Sequence, residues 1–102
     1  MKIEEVFARR RFIMLDGAMG TQLQLRGLTT EQKPELAAFI MPDVLTAVHR
    51  DYARAGADIL LAKPPLAPTP RKLKETGYTV QQVIEASIAC ARTAAQETGA
   101  LV

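Results

Sequence analysis

Three short, mostly apolar runs, Phe12–Leu15, Ala57–Ala62 and Ala100–Val102, punctuate a sequence whose intervening segments carry apolar residues at helical spacing. A run of this length without polar alternation is the pattern of a strand buried on both faces, and such strands belong to parallel sheets covered by helices. Strand, helices, strand, helix and the start of a strand describe consecutive β/α units joined by right-handed crossovers. The expected fold class is therefore α/β. Two complete strands can neither protect their edges nor fill both faces of a parallel sheet. The third run, arriving at the end of 102 residues, thus predicts a truncated domain or one completed by another chain.

The helical segments have legible ends. Ile3, Val6 and Phe7 predict a lead-in helix over 2–9, and Gln22–Arg26 predicts another that stops near Gly27. A loop is expected around Lys33–Pro34. Pro42-Asp43 suits a helix start, because proline fits the first turn and a carboxylate favours the positive end of the helix dipole. Val44, Ala47, Val48, Tyr52 and Ala55 then form a stripe that Gly56 can terminate. Four prolines within 63–70 exclude regular helix or a central strand there. From Thr79, a capping box with Gln82 precedes a face of Val80, Val83, Ile84, Ser87, Ile88, Ala91 and Ala95, with Gly99 as the stop.

Charge and rare residues narrow the function. Thirteen Lys and Arg against eleven Asp and Glu give a net charge of only +2. The clusters Arg9–Arg11 and Arg71-Lys72-Lys74 are short and lack interleaved aromatics, so they predict solvated faces and no nucleic-acid partner. One Cys and one His cannot build a zinc site of three or four protein ligands, and one Cys forms no internal disulfide. No apolar run approaches the ~20 residues that span a bilayer, and the N-terminus lacks a signal core; a cytoplasmic protein is expected. His49, one residue off the 42–55 stripe, is expected on a solvated surface, and Cys90 packed on its helix. Asp58 should cap or pair locally, and Met14, Met19 and Met41 read as packing residues.

Asp16-Gly17-Ala18-Met19-Gly20-Thr21 follows the first apolar run. Ligands of parallel α/β folds collect at the carboxyl ends of strands. There a carboxylate can accept hydrogen bonds from a substrate ammonium, while glycines permit close approach and offer N–H donors to a substrate carboxylate. These groups suit the charged end of an amino acid. An acidic cap on the following helix, with glycines serving a tight turn, explains the same residues.

The segment FIMLDGAMGTQLQLRG at 12–27, followed by MPDVLTAVHRDYARAGADILL at 41–61 and RKLKETGY at 71–78, closely resembles the N-terminal part of the homocysteine S-methyltransferase family. The resemblance implies the first β/α units of a (β/α)8 TIM barrel of roughly 300 residues, cut near the start of its third strand, so that 1–102 is a partial domain. It implies homocysteine and a methyl donor as partners, a corrinoid being one such donor. It also implies zinc, held by cysteines on later strands, which lowers the homocysteine thiol pKa so that the thiolate attacks the methyl group. In the family the first turn touches the amino acid part of homocysteine, which carries over to Asp16, Gly17 and Ala18. None of the zinc-binding strands falls within this sequence, so the chain alone is expected to be inactive.

One segment departs from the family. Where relatives read approximately T-N-T-F-G-A-N-P, this chain reads AKPPLAPTP at 62–70, with Lys63 in place of the asparagine. Codons for Lys-Pro-Pro-Leu-Ala-Pro-Thr-Pro, read two bases later, can spell Thr-Thr-Phe-Gly-Ala-Asn-Pro, so compensating frameshifts across 63–69 would restore the family loop. Divergence of a true loop is the other explanation. Two other functional classes also fit the sequence: a non-enzymatic α/β module that self-associates through exposed strand edges, and an α/β domain binding phosphate at the first turn.

Overall fold

The computed structural model describes residues 3–9, 12–29, 32, 34–62, 69–74 and 76–102. More than half of these are helical: α1 (Ile3–Arg9), α2 (Gly20–Leu25), a 3-10 turn (Pro34–Leu36) running directly into α3 (Ala37–Ile40), α4 (Pro42–Arg54), α5 (Pro70–Leu73) and α6 (Val80–Thr98). Residues 63–68, which carry most of the proline-rich departure, and Lys33 lie outside the described residues. Pro70, expected in the loop, instead opens α5, where its missing N–H costs no helical hydrogen bond.

The two long helices form the frame. At the start of α6, Thr79 Oγ1 accepts the Gln82 N–H at 3.1 Å, and Gln82 Oε1 accepts the Thr79 N–H at 2.8 Å. This is the expected capping box, and Gly99, at φ 82°, provides the expected left-handed stop. Small residues on the buried face, Ser87, Cys90, Ala91, Ala94 and Ala95, allow α4 to approach closely. That face is rotated relative to the expected stripe: Ile84 is 41% exposed, while Cys90 and Ala94 are buried. Arg50 on α4 reaches across to Glu97 on α6 with a forked guanidinium–carboxylate contact.

The core is divided among these helices. Leu23 of α2, Leu28, Ala37 and Ala38 of α3, Leu45 and Val48 of α4 and Cys90 of α6 pack as one cluster. Removing a fully buried leucine such as Leu23 from water contributes about 1.5–3 kcal/mol. A second cluster joins Leu36, Leu73 and Val83, flanked by Phe39, whose ring stacks on Tyr78 with centroids 4.0 Å apart. Leu60 lies fully buried against Ala94 and Ala95.

The expected α/β class, and with it the first β/α units of a (β/α)8 barrel, is overturned: the described residues contain no strand or sheet. The three apolar runs meet only through isolated parallel bridges, Leu15 to Ile59 and Ile59 to Leu101. Two carboxylates account for the shortness of the first pairing. Around the bridge, Ile59 N–H donates to Met14 O at 3.3 Å and Asp16 N–H donates to Ile59 O at 3.2 Å. At one end the Met14 N–H goes to Asp58 Oδ2 at 3.0 Å, and at the other the Leu61 N–H goes to Asp16 Oδ2 at 3.2 Å. Side chains thus hold the amides that would otherwise extend the ladder. Nor is the first run buried on both faces, since Phe12, Met14 and Leu15 are each at least half exposed.

Thr79→Ala should lower stability by about 1 kcal/mol, because the Gln82 amide at the start of α6 loses the Thr79 Oγ1 that accepts it. Urea denaturation should show a lower midpoint at unchanged slope, with Thr79→Ser close to the native chain. An alanine variant as stable as the native chain would contradict the cap.

Candidate functional site

Asp16, Gly17 and Ala18 lie between the Leu15 bridge and α2, and side chains from α4 hold them from beneath. The Asp16 carboxylate points inward, with its side chain only 3% exposed. Oδ2 accepts the Leu61 N–H and stands 4.0 Å from Nδ1 of His49. The helix-cap reading of Asp16 fails on this geometry. Met19 occupies the N-cap of α2 and no side chain caps it, while Gly20 and Thr21 already belong to the helix.

Tyr52, one turn beyond Val48 on α4, donates its hydroxyl to Ala18 O at 2.6 Å. Its ring lies against Gly17 so closely that a Cβ there would come within 3.0 Å of both Cε1 and the hydroxyl oxygen. Gly17 is therefore needed for contact with Tyr52 and not for a positive φ. On the outer side Gly17 and Ala18 are exposed, and their N–H groups form no hydrogen bond among the described residues. An open cleft of about 350 Å3, lined by Met14, Leu15, Asp16, Gly17, Tyr52 and Gly56 among others, adjoins the turn. Its size is at the low end for small-ligand sites.

His49 corrects the sequence expectation most sharply. It is 2% exposed, not solvated, and its Nδ1 is buried without a hydrogen-bond partner. Burial pulls its pKa below the ordinary 6.5, and the nearby Asp16 charge opposes that shift without reversing it. The residue was legible after all. Taking Leu45 as anchor, spacings of 3, 4 and 7 give Val48, His49 and Tyr52 as the inward face of α4. The expected stripe omitted Leu45 and was displaced by one residue. No sequence signal marks the Tyr52 hydroxyl as a clamp on Ala18, because aromatic residues at this spacing read as packing.

Among the described residues no group of three His, Cys, Asp or Glu side chains could hold a metal ion. Cys90 is buried on α6, with its thiol 3.8 Å from the Pro42 carbonyl oxygen. The described part of the chain thus supplies no zinc centre. No described helix is long and apolar enough to cross a membrane.

Gly17→Ala should cost about 1 kcal/mol or more, since relieving the contact means displacing the Tyr52 ring from Ala18. In a Tyr52→Ala background the same change should cost measurably less, a coupling readable from a double-mutant cycle in urea. Additive effects would show that Tyr52 is not what requires glycine.

Residues 13–102 match the homocysteine S-methyltransferase family. Over 55 residues, 48% of this chain, the sequence is 46% identical to methionine synthase of Mycobacterium tuberculosis, and over 57 residues, 50% of the chain, it is 44% identical to methionine synthase of Mycobacterium leprae. Each match spans 5% of the relative's own length. The matched region takes in the Asp16–Ala18 turn together with His49 and Tyr52 of α4, and on that match the chain belongs to the homocysteine S-methyltransferase family.

Proposed function

We propose that this chain forms the first substrate turn of a protein that transfers a methyl group to the thiol of homocysteine, giving methionine. Asp16, Gly17 and Ala18 receive the amino acid end of homocysteine. The exposed Gly17 and Ala18 amides face its α-carboxylate, and the buried Asp16 charge draws its ammonium. The observation that carries this reading is the two-sided build of the turn, held from beneath by Leu61 N–H and the Tyr52 hydroxyl and open above at Gly17 and Ala18. A turn fixed in this way presents its amides without further ordering on binding.

The chemistry at sulfur is a separate requirement. Zinc in this family would make the thiol a nucleophile, but the described residues offer it no ligand set. The chain alone is therefore proposed to bind without turning over, and no described residue specifies the methyl donor. The self-associating alternative relied on sheet edges, and the described residues form no sheet.

Calorimetric titration of the 102-residue chain at pH 7.5 should show weak binding of L-homocysteine, about millimolar. N-acetyl-L-homocysteine, which lacks the ammonium, should not bind, and Asp16→Asn should weaken binding roughly tenfold, the scale of a lost charged contact. Equal binding of both ligands, or an unaffected Asp16→Asn variant, would remove Asp16 from the site. Zinc-dependent methyl transfer by the same chain would overturn its proposed inactivity.

A further inference from the structure

His49 is the chain's only histidine, and the arrangement around it is unusual. A neutral imidazole has one N–H and one acceptor nitrogen, and burying either without a partner is unfavourable. Nδ1 is in that position. The polar atom facing it is Asp16 Oδ2, at 4.0 Å, beyond hydrogen-bond distance. Because a carboxylate accepts and does not donate, the pair is favourable only when Nδ1 carries the proton.

Other groups around His49 are occupied elsewhere. On α4, Tyr52 donates to Ala18 O, Asp51 pairs with Arg26, and Arg50 pairs with Glu97 of α6. Cys90 of α6 faces the Pro42 carbonyl, and Asp58 accepts the Met14 N–H. Of the charged groups described, Asp16 alone acts on the imidazole.

We propose that His49 is a positioning residue for Asp16: its neutral, Nδ1-protonated ring holds Oδ2 in place, and its protonation cancels the Asp16 charge, so that an amino acid ammonium is released from the first turn in acid. The linkage runs in one direction. Burial sets the His49 pKa below 6.5, so near pH 7.5 the ring is neutral and leaves the Asp16 carboxylate uncompensated. As pH falls through the His49 pKa, imidazolium and ligand ammonium compete for one carboxylate. By reciprocity, a bound ammonium must lower the His49 pKa further.

This proposal depends on the substrate role of the turn only in its ligand arm, so the two can fail separately. A single histidine permits an unambiguous test by imidazole 15N NMR on the labelled 102-residue chain. Without ligand, the neutral ring should be protonated at Nδ1, and Asp16→Asn, with its helical circular dichroism retained, should lower the His49 pKa by removing the charge that supports imidazolium. A predominantly Nε2-protonated native ring would overturn the proposal without reference to any variant. So would an Asp16→Asn variant of unchanged His49 pKa.

In the ligand arm, L-homocysteine should lower the His49 pKa, and its affinity should fall about fivefold or more between pH 7.5 and 5, a normal magnitude for coupled sites. The ligand ammonium stays charged throughout that window. His49→Gln should flatten the dependence. An equally steep loss in His49→Gln would overturn the proposal. Correct tautomer and Asp16 coupling with no homocysteine response would instead overturn the substrate reading of the turn.

Discussion

One face of α4 supports both the core and the first turn. Leu45 and Val48 pack against Leu23, Ala38 and Cys90, while His49 and Tyr52, on the same face, reach Asp16 and Ala18. A helix cannot rotate to relieve one of these contacts without losing the others, because residues at spacings of 3, 4 and 7 move together. The position of the turn is therefore determined by hydrophobic packing between α4 and α6, some distance from any group that would meet a substrate. The close Gly17–Tyr52 contact is where this constraint is tightest.

The same geometry accounts for the fate of Asp16. A carboxylate with a side chain 3% exposed needs partners, and the Leu61 amide provides one at 3.2 Å. That bond takes an amide from the pairing of the two apolar runs, and Asp58 does the same at the other end with Met14. The backbone between them is thus tied down by carboxylates as much as by its own pairing. A buried carboxylate lies beneath an exposed glycine-containing turn, and a buried imidazole lies beside it. Charge placed this close to a surface still acts on an incoming cation, since interactions near protein surfaces are screened less than in bulk water.

Legibility in the sequence followed the locality of the interactions. The capping box at Thr79 and Gln82, the Gly99 stop and the Pro42 start involve residues a few positions apart, and all three were readable. The apolar runs were also visible, but their pairing was not. Whether Met14 and Leu61 donate to backbone carbonyls or to Asp58 and Asp16 depends on groups 44 and 45 residues away. The Asp16 turn was legible as a candidate site from its residue types and family resemblance, whereas the Tyr52 hydroxyl on Ala18 and the burial of His49 beside Asp16 were missed. For His49 the signal was present in the Leu45-based spacing; for the Tyr52 hydroxyl there was none, because only the fold brings it to Ala18.

A turn clamped by α4 that receives the amino acid end of homocysteine must respond to that ligand at its own backbone. Backbone amide shift mapping of the labelled chain during an L-homocysteine titration tests it directly. The largest saturable shifts should fall on Gly17 and Ala18, with smaller ones at Leu61, whose amide shares the Asp16 carboxylate. Saturable shifts centred elsewhere, for example along α6, with the Gly17 and Ala18 amides unmoved, would contradict it.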